Sequence, residues 1–133
     1  MTPKQRREIA IRYLRSIPRD VADEHVDMGV WAIGTPQTAT EMLHCGTTAC
    51  AGGWLCLVPE LQADGLARFN YGIPGVPYFG NSVGFEALAG FFDLKLSRVV
   101  EIFSPRGGES GSRALKRVCR ELKAAPYYAS TQA

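Results

Sequence analysis

The feature that most constrains the fold is the run Cys45-Gly46-Thr47-Thr48-Ala49-Cys50-Ala51-Gly52-Gly53-Trp54. Read as a helix from Ala49 to about Leu57, capped by Thr47 or Thr48, it aligns Ala49, Gly52, Gly53 and Cys56 at spacings of three and four. A stripe of such small side chains admits the backbone of another segment to close range, with Trp54, Leu55, Leu57 and Val58 supplying bulk around it. The segment is therefore expected to be a tight internal joint. Pro59 either kinks this helix or opens another short one.

The rest of the chain is predicted to be mainly α, a compact bundle of five or six helices in one domain over 1–133. Thr2-Pro3-Lys4-Gln5 is a helix start with a threonine cap, proline at the first position and glutamine three residues after the cap. Ile9, Ala10, Tyr13, Leu14 and Ile17 recur at helical spacing, leaving Lys4, Arg6, Arg7, Arg12 and Arg15 for solvent. Asp27 to Ile33 reads as a short strand or an irregular buried stretch. Residues 65–84 alternate glycine and proline with Phe69, Tyr71, Tyr78 and Phe79, predicting a long central loop with room for one short β-hairpin. Two helices are predicted over about Phe85–Phe92 and Ser97–Phe103. Ser112 is read as the cap of a last, basic helix ending near Ala125, with a flexible tail from about 126.

No apolar run reaches the roughly 18 residues of a membrane span, and the charged N-terminus lacks the apolar core of a signal peptide. A cytoplasmic protein with no membrane partner is expected, and its four cysteines then read as free thiols. Net charge is only +2 but is segregated. Residues 1–19 hold six basic side chains against Glu8, residues 20–44 hold five acids and no Lys or Arg, and residues 101–133 hold six basic side chains against three acids. Such blocks either pair within the fold or face a charged partner.

Candidate chemistry centres on Cys50, with Cys45, His44 and the more distant His25 beside it. A thiol in the first turn of a helix meets unpaired amides and the positive end of the peptide dipoles, which can lower its pKa and make it nucleophilic. The competing reading is packing by small apolar thiols. Cys45 and Cys50 form a Cys-x4-Cys pair with no matching second pair, so neither a metal nor a cofactor is expected. The stretch Gly107–Ser112 lacks both the lysine of a phosphate loop and a Gly-x-Ser-x-Gly elbow. Glu86–Phe103 fits a helix-turn-helix loosely, but its second helix is too apolar to read bases.

Asp27-Met28-Gly29-Val30-Trp31, then Cys45-Gly46-Thr47-x-x-Cys50-x-x-Gly53-Trp54, then Asp93-Leu94 and Ile102-Phe103 resemble a group of small bacterial and bacteriophage proteins that share this cysteine core. The group has no established activity. The resemblance implies a bacterial or phage setting, in which small helical proteins act by binding host or competitor machinery.

The leading expectation is accordingly a non-enzymatic accessory protein, a phage-related inhibitor or regulator. It would contact another protein through Tyr71, Tyr78 and Phe79 of the aromatic loop and through Arg113, Lys116, Arg117 and Arg120 of the last helix. A thiol-dependent site at Cys50 is the alternative. Nucleic-acid binding by the basic terminal helices is a second one.

Overall fold

In a computed structural model, residues 1–31, 48–69 and 75–129 are described, with the side chain of Phe69 left aside. Among them are seven helices and three strands: α1 (Pro3–Ser16), α2 (Arg19–His25), α3 (Ala51–Leu55), α4 (Pro59–Ala63), β1 (Ala67–Phe69), β2 (Val76–Phe79), β3 (Ser82–Val83), α5 (Phe85–Phe92), α6 (Leu96–Phe103) and α7 (Gly111–Ala124). The mainly helical expectation holds. The helix count exceeds five or six because the region from Ala49 to Ala63 forms two single-turn helices, α3 and α4, separated near Val58 and Pro59. No described helix is long and apolar enough to cross a membrane.

The first helix starts as its sequence dictates. Thr2 accepts from the Gln5 amide, and the Gln5 side chain accepts from the Thr2 amide in return. Two caps differ from expectation. α7 is capped by Ser110, whose hydroxyl accepts from the Arg113 amide, and Ser112 lies inside the first turn. α3 is capped by the Cys50 sulfur, which accepts from the Gly53 amide, and not by a threonine.

β1, β2 and β3 form a three-stranded antiparallel sheet in that order, with Arg68 opposite Pro77 and Tyr78 opposite Val83. Gly80 and Asn81 close the β2–β3 turn, Gly80 at a left-handed φ of 61°. The expected hairpin is present and carries a third strand. It lies against α5, where Phe79 meets Phe91 edge-on at 5.1 Å.

One apolar core joins these parts, with Leu14, Trp54, Leu61, Leu88, Phe91, Phe92, Ile102, Phe103 and Leu122 almost wholly enclosed. α1 and α7 pack antiparallel across it: Arg7 near the start of α1 reaches Leu122 and Ala125 at the end of α7. One turn further along the pair, the Cys119 thiol points at the Ile11 carbonyl, 3.8 Å away. α2 then crosses the start of α7, where a β-carbon on Gly111 would overlap the Ala22 carbonyl oxygen.

Three arginines have partners that their sequence pattern conceals. Arg7 is only 3 % exposed. Its guanidinium donates to the carbonyls of Phe92 at 2.8 Å and Asp93 at 2.9 Å, and to those of Leu122 and Ala125, so it caps the ends of both α5 and α7. Its other face stacks on Tyr127 at 3.8 Å. Arg117, 4 % exposed, donates to Ile102 at 2.8 Å and Ser104 at 3.1 Å at the end of α6, and pairs with Glu109 and Glu121. Arg6 pairs with Asp64 at 2.6 Å and donates to the Phe91 carbonyl. Helix C-termini carry unpaired carbonyls and partial negative charge, so a desolvated guanidinium suits them.

The expectation that Arg6 and Arg7 face solvent is thereby corrected. Beyond α7, the Tyr128 amide donates to the Asp93 carbonyl at 2.8 Å and the Ala129 amide to the Asp93 carboxylate.

Candidate functional site

The cysteine segment is a joint, as its small residues require. The backbone from His25 to Trp31 lies along the entry to α3. Ala49 donates to His25 at 3.1 Å, Asp27 donates to Ala49 at 3.0 Å, and Cys50 donates to Val30 at 2.8 Å. Asp27–Ile33 is no strand among its described residues; a single parallel bridge, Val26 to Ala49, forms beside it. The Trp54 indole donates to the His25 carbonyl at 3.0 Å. A β-carbon on Gly53 would overlap the Trp31 carbonyl oxygen. His44 and Cys45 lie outside the described residues.

Cys50 is 1 % exposed. Burial pushes its pKa up to about 11, outweighing the amides of Gly53 and Gly52 that would lower it. Cys56 is pushed up to about 12, again by burial, with Arg68 opposing. The hollow of about 290 Å³ beside Cys50 is lined by apolar groups such as Met28, Trp31, Phe85 and Phe103, with no histidine among its described lining residues. At Cys50, then, desolvation outweighs the amides on which the activated-thiol expectation relied.

The buried thiols have two measurable consequences. At pH 7 Cys50 is accordingly held in its protonated, unreactive form. Iodoacetamide should therefore modify Cys50 and Cys56 at least roughly a hundredfold more slowly in the native chain than in urea. Rapid labelling of native Cys50 near pH 7 would restore the nucleophile. Because both thiols stay protonated in the fold above the pKa they have when unfolded, stability should fall as pH rises from about 9 towards 11.

Among the described residues no cluster of three or more His, Cys, Asp or Glu side chains is placed to hold a metal.

The aromatic loop divides. Tyr71 lies outside the described residues. Tyr78 is half-buried, and Phe79 is turned onto the core between Phe91 and the Arg6 guanidinium. Phe79 therefore packs against the core.

The basic residues divide differently. Arg117 is withdrawn into the core, against the expectation that it shares a face with Arg113, Lys116 and Arg120, which are exposed. Lys116 and Arg120, with Lys123, adjoin Lys4, Arg12 and Arg15 of α1, whereas Arg113 lies outside this group. Two adjoining grooves run along this helix pair. One, of about 540 Å³, is bordered by Lys4, Arg12, Arg15 and Lys123. The other, of about 410 Å³, is bordered by Arg15, Arg19, Lys116 and Arg120 over a floor of Leu14, Leu115 and Cys119. Arg15 belongs to both.

Among the described residues Glu8 is the one acid along either groove. Asp23, at the edge, is occupied by the Ser112 amide at 2.8 Å, and that bond holds its pKa below the usual carboxylate range. Glu121 is turned to Arg106 and Arg117. Arg19 joins this face unforeseen, and Pro18, which starts α2 immediately after α1, was the signal that would have placed it there.

No family model, no curated protein and no solved structure matches the chain.

Proposed function

We propose that the chain is a non-enzymatic binding protein that engages an anionic macromolecule on the face shared by α1 and α7. The observation that carries this reading is the separation of most of the cations on α1 and α7 into two sets. Arg6, Arg7 and Arg117 are held by carbonyls and carboxylates within the fold. Lys4, Arg12, Arg15, Lys116, Arg120 and Lys123 have no ion-pair partner among the described residues, and all six line two continuous grooves. Like charges held together without counter-charges repel one another, and an anionic partner relieves that repulsion.

The reading is tested on immobilised heparin, a generic polyanion. Lys116→Glu with Arg120→Glu should bring elution to clearly lower salt, while Lys95→Glu, exposed at the start of α6, should change it far less per charge. An equal effect per charge from Lys95→Glu would reduce the finding to net charge and end the proposal.

A second surface favours a protein contact. Val83, Leu96 and Val100 are each more than 40 % exposed and line one shallow hollow with Phe85. Adjacent exposed aliphatic side chains of this kind suit a protein partner better than solvent. The two faces together suit an accessory or inhibitory protein, the role that the cysteine-core resemblance implies.

A further inference from the structure

We infer that the anionic partner of the α1/α7 face is double-stranded nucleic acid, held through its phosphates without reading of base sequence. The inference rests on the binding reading above and selects among the polyanions that reading allows.

The floor of the grooves decides against an acidic amphipathic helix. Such a helix binds by laying its apolar side into an apolar groove. Here Ile11, Leu14, Leu115 and Cys119 are each at most 8 % exposed, so there is almost no apolar surface left to cover. Attraction must come from charge, and charge alone favours the densest polyanion. Duplex DNA carries one negative charge per roughly 1.7 Å of axis.

The shape of the face agrees. α1 and α7 have 14 residues each, and so are about 21 Å long. Packed antiparallel, their axes lie about 8–10 Å apart, and the side chains extend the span. Lys116, Arg120 and Lys123 recur at spacings of four and three along one side of α7, and Lys4, Arg12 and Arg15 lie along α1. Two such rows match the two strands that border a groove about 12 Å wide.

Single-stranded partners are disfavoured, because they are held by bases stacked on exposed aromatic rings. The one ring among the described lining residues of these grooves, Tyr127, is half-buried and lies against Arg7.

The test is fluorescence anisotropy with labelled duplexes of about 20 base pairs and two unrelated sequences, starting near 50 mM salt. Both duplexes should bind with similar affinity. The plot of log Kobs against log salt should have a slope of about −4 to −5, from some five phosphates neutralised at about −0.9 each. Lys116→Glu with Arg120→Glu, whose fold is checked by circular dichroism, should weaken binding at least tenfold and flatten the slope by about 2.

A protein that heparin retains but that binds no duplex at low salt overturns this inference and leaves the broader reading standing. Loss of heparin retention as well removes both. Tighter binding to a single strand, to poly-glutamate or to phosphatidylserine vesicles than to duplex also overturns it.

Discussion

Gly53→Ala is expected to lower stability by about 3 kcal/mol, a shift of roughly 10 °C in Tm for a chain of this size, although alanine is the better helix former. In an exposed helix interior, Gly→Ala is favourable by about 1 kcal/mol. At Gly53 that gain is overrun by sterics. The added methyl would overlap the carbonyl oxygen of Trp31 and come within 2.9 Å of the Ala49 β-carbon. The first obstacle is backbone, so no side-chain rotation relieves it. The His25–Trp31 segment would have to lift off α3, loosening the hydrogen bond from Cys50 to Val30 and the contact of Trp31 with Phe85.

Gly90→Ala supplies the opposite sign from the same chemistry. Gly90 is exposed inside α5, and its added methyl would meet the Phe79 ring at an ordinary 3.6 Å. That variant should be more stable by about 0.5–1 kcal/mol. Urea unfolding of both, with unchanged m-values for Gly90→Ala, checks the pair. A Gly53→Ala chain as stable as the parent would mean that the joint is not closed as described.

Much of this arrangement was legible because it depends on local spacing. The stripe Ala49, Gly52, Gly53 and Cys56 states that something must approach closely, and the approaching segment proves to be His25–Trp31. The periodicity of Phe85–Phe92 places α5 residue for residue, and that of Ser97–Phe103 misses only Leu96. The Thr2–Gln5 capping box was equally plain.

What the sequence hid is long-range and polar. Arg6, Arg7 and Arg117 look like any other cation on the polar side of a helix. Nothing within a few residues says that their guanidinium groups reach carbonyls more than 80 residues away in the first two cases and 13 to 16 residues away in the third. A signal was present in another form. α6 and α7 end at Phe103-Ser104-Pro105 and Ala124-Ala125-Pro126, without the glycine that commonly closes a helix, so their last carbonyls needed partners from elsewhere. The binding face was hidden by the same oversight: only once the three internal arginines are set aside do the remaining cations form two rows along a pair of grooves. At Cys50 the charge effect of a helix start was legible and the desolvation that opposes it was not.

Arg7→Met is expected to lower stability by about 3–5 kcal/mol. Methionine preserves most of the apolar stem and removes the guanidinium, so packing alone cannot account for the loss. Five carbonyls on two helix ends would lose their donor: Phe92 and Asp93 after α5, and Leu122, Ala125 and Pro126 after α7. Those nearest the core cannot all be reached by water, and an enclosed carbonyl without a partner costs about 1–3 kcal/mol.

Burial lowers the pKa of Arg7 from its ordinary value, with Tyr127 and Asp93 opposing, yet an arginine starts so high that it remains charged. The interaction lost is therefore a charged one at every practical pH. Arg7→Lys should recover less than half of the loss, because an ammonium is a point charge and cannot span two helix ends as the planar fork does.

The damage should also be local in a way that a general core defect is not. Tyr127 would lose its cation, and residues 126–129 would lose one of their ties to the fold while the contacts of Tyr128 and Ala129 with Asp93 remain. Amide exchange in Arg7→Met should therefore rise first at the last turn of α7 and in residues 126–129, before it rises at Trp54 or Leu55. Uniform exchange across the chain, or a variant as stable as the parent, would show that the two helix ends are satisfied without Arg7.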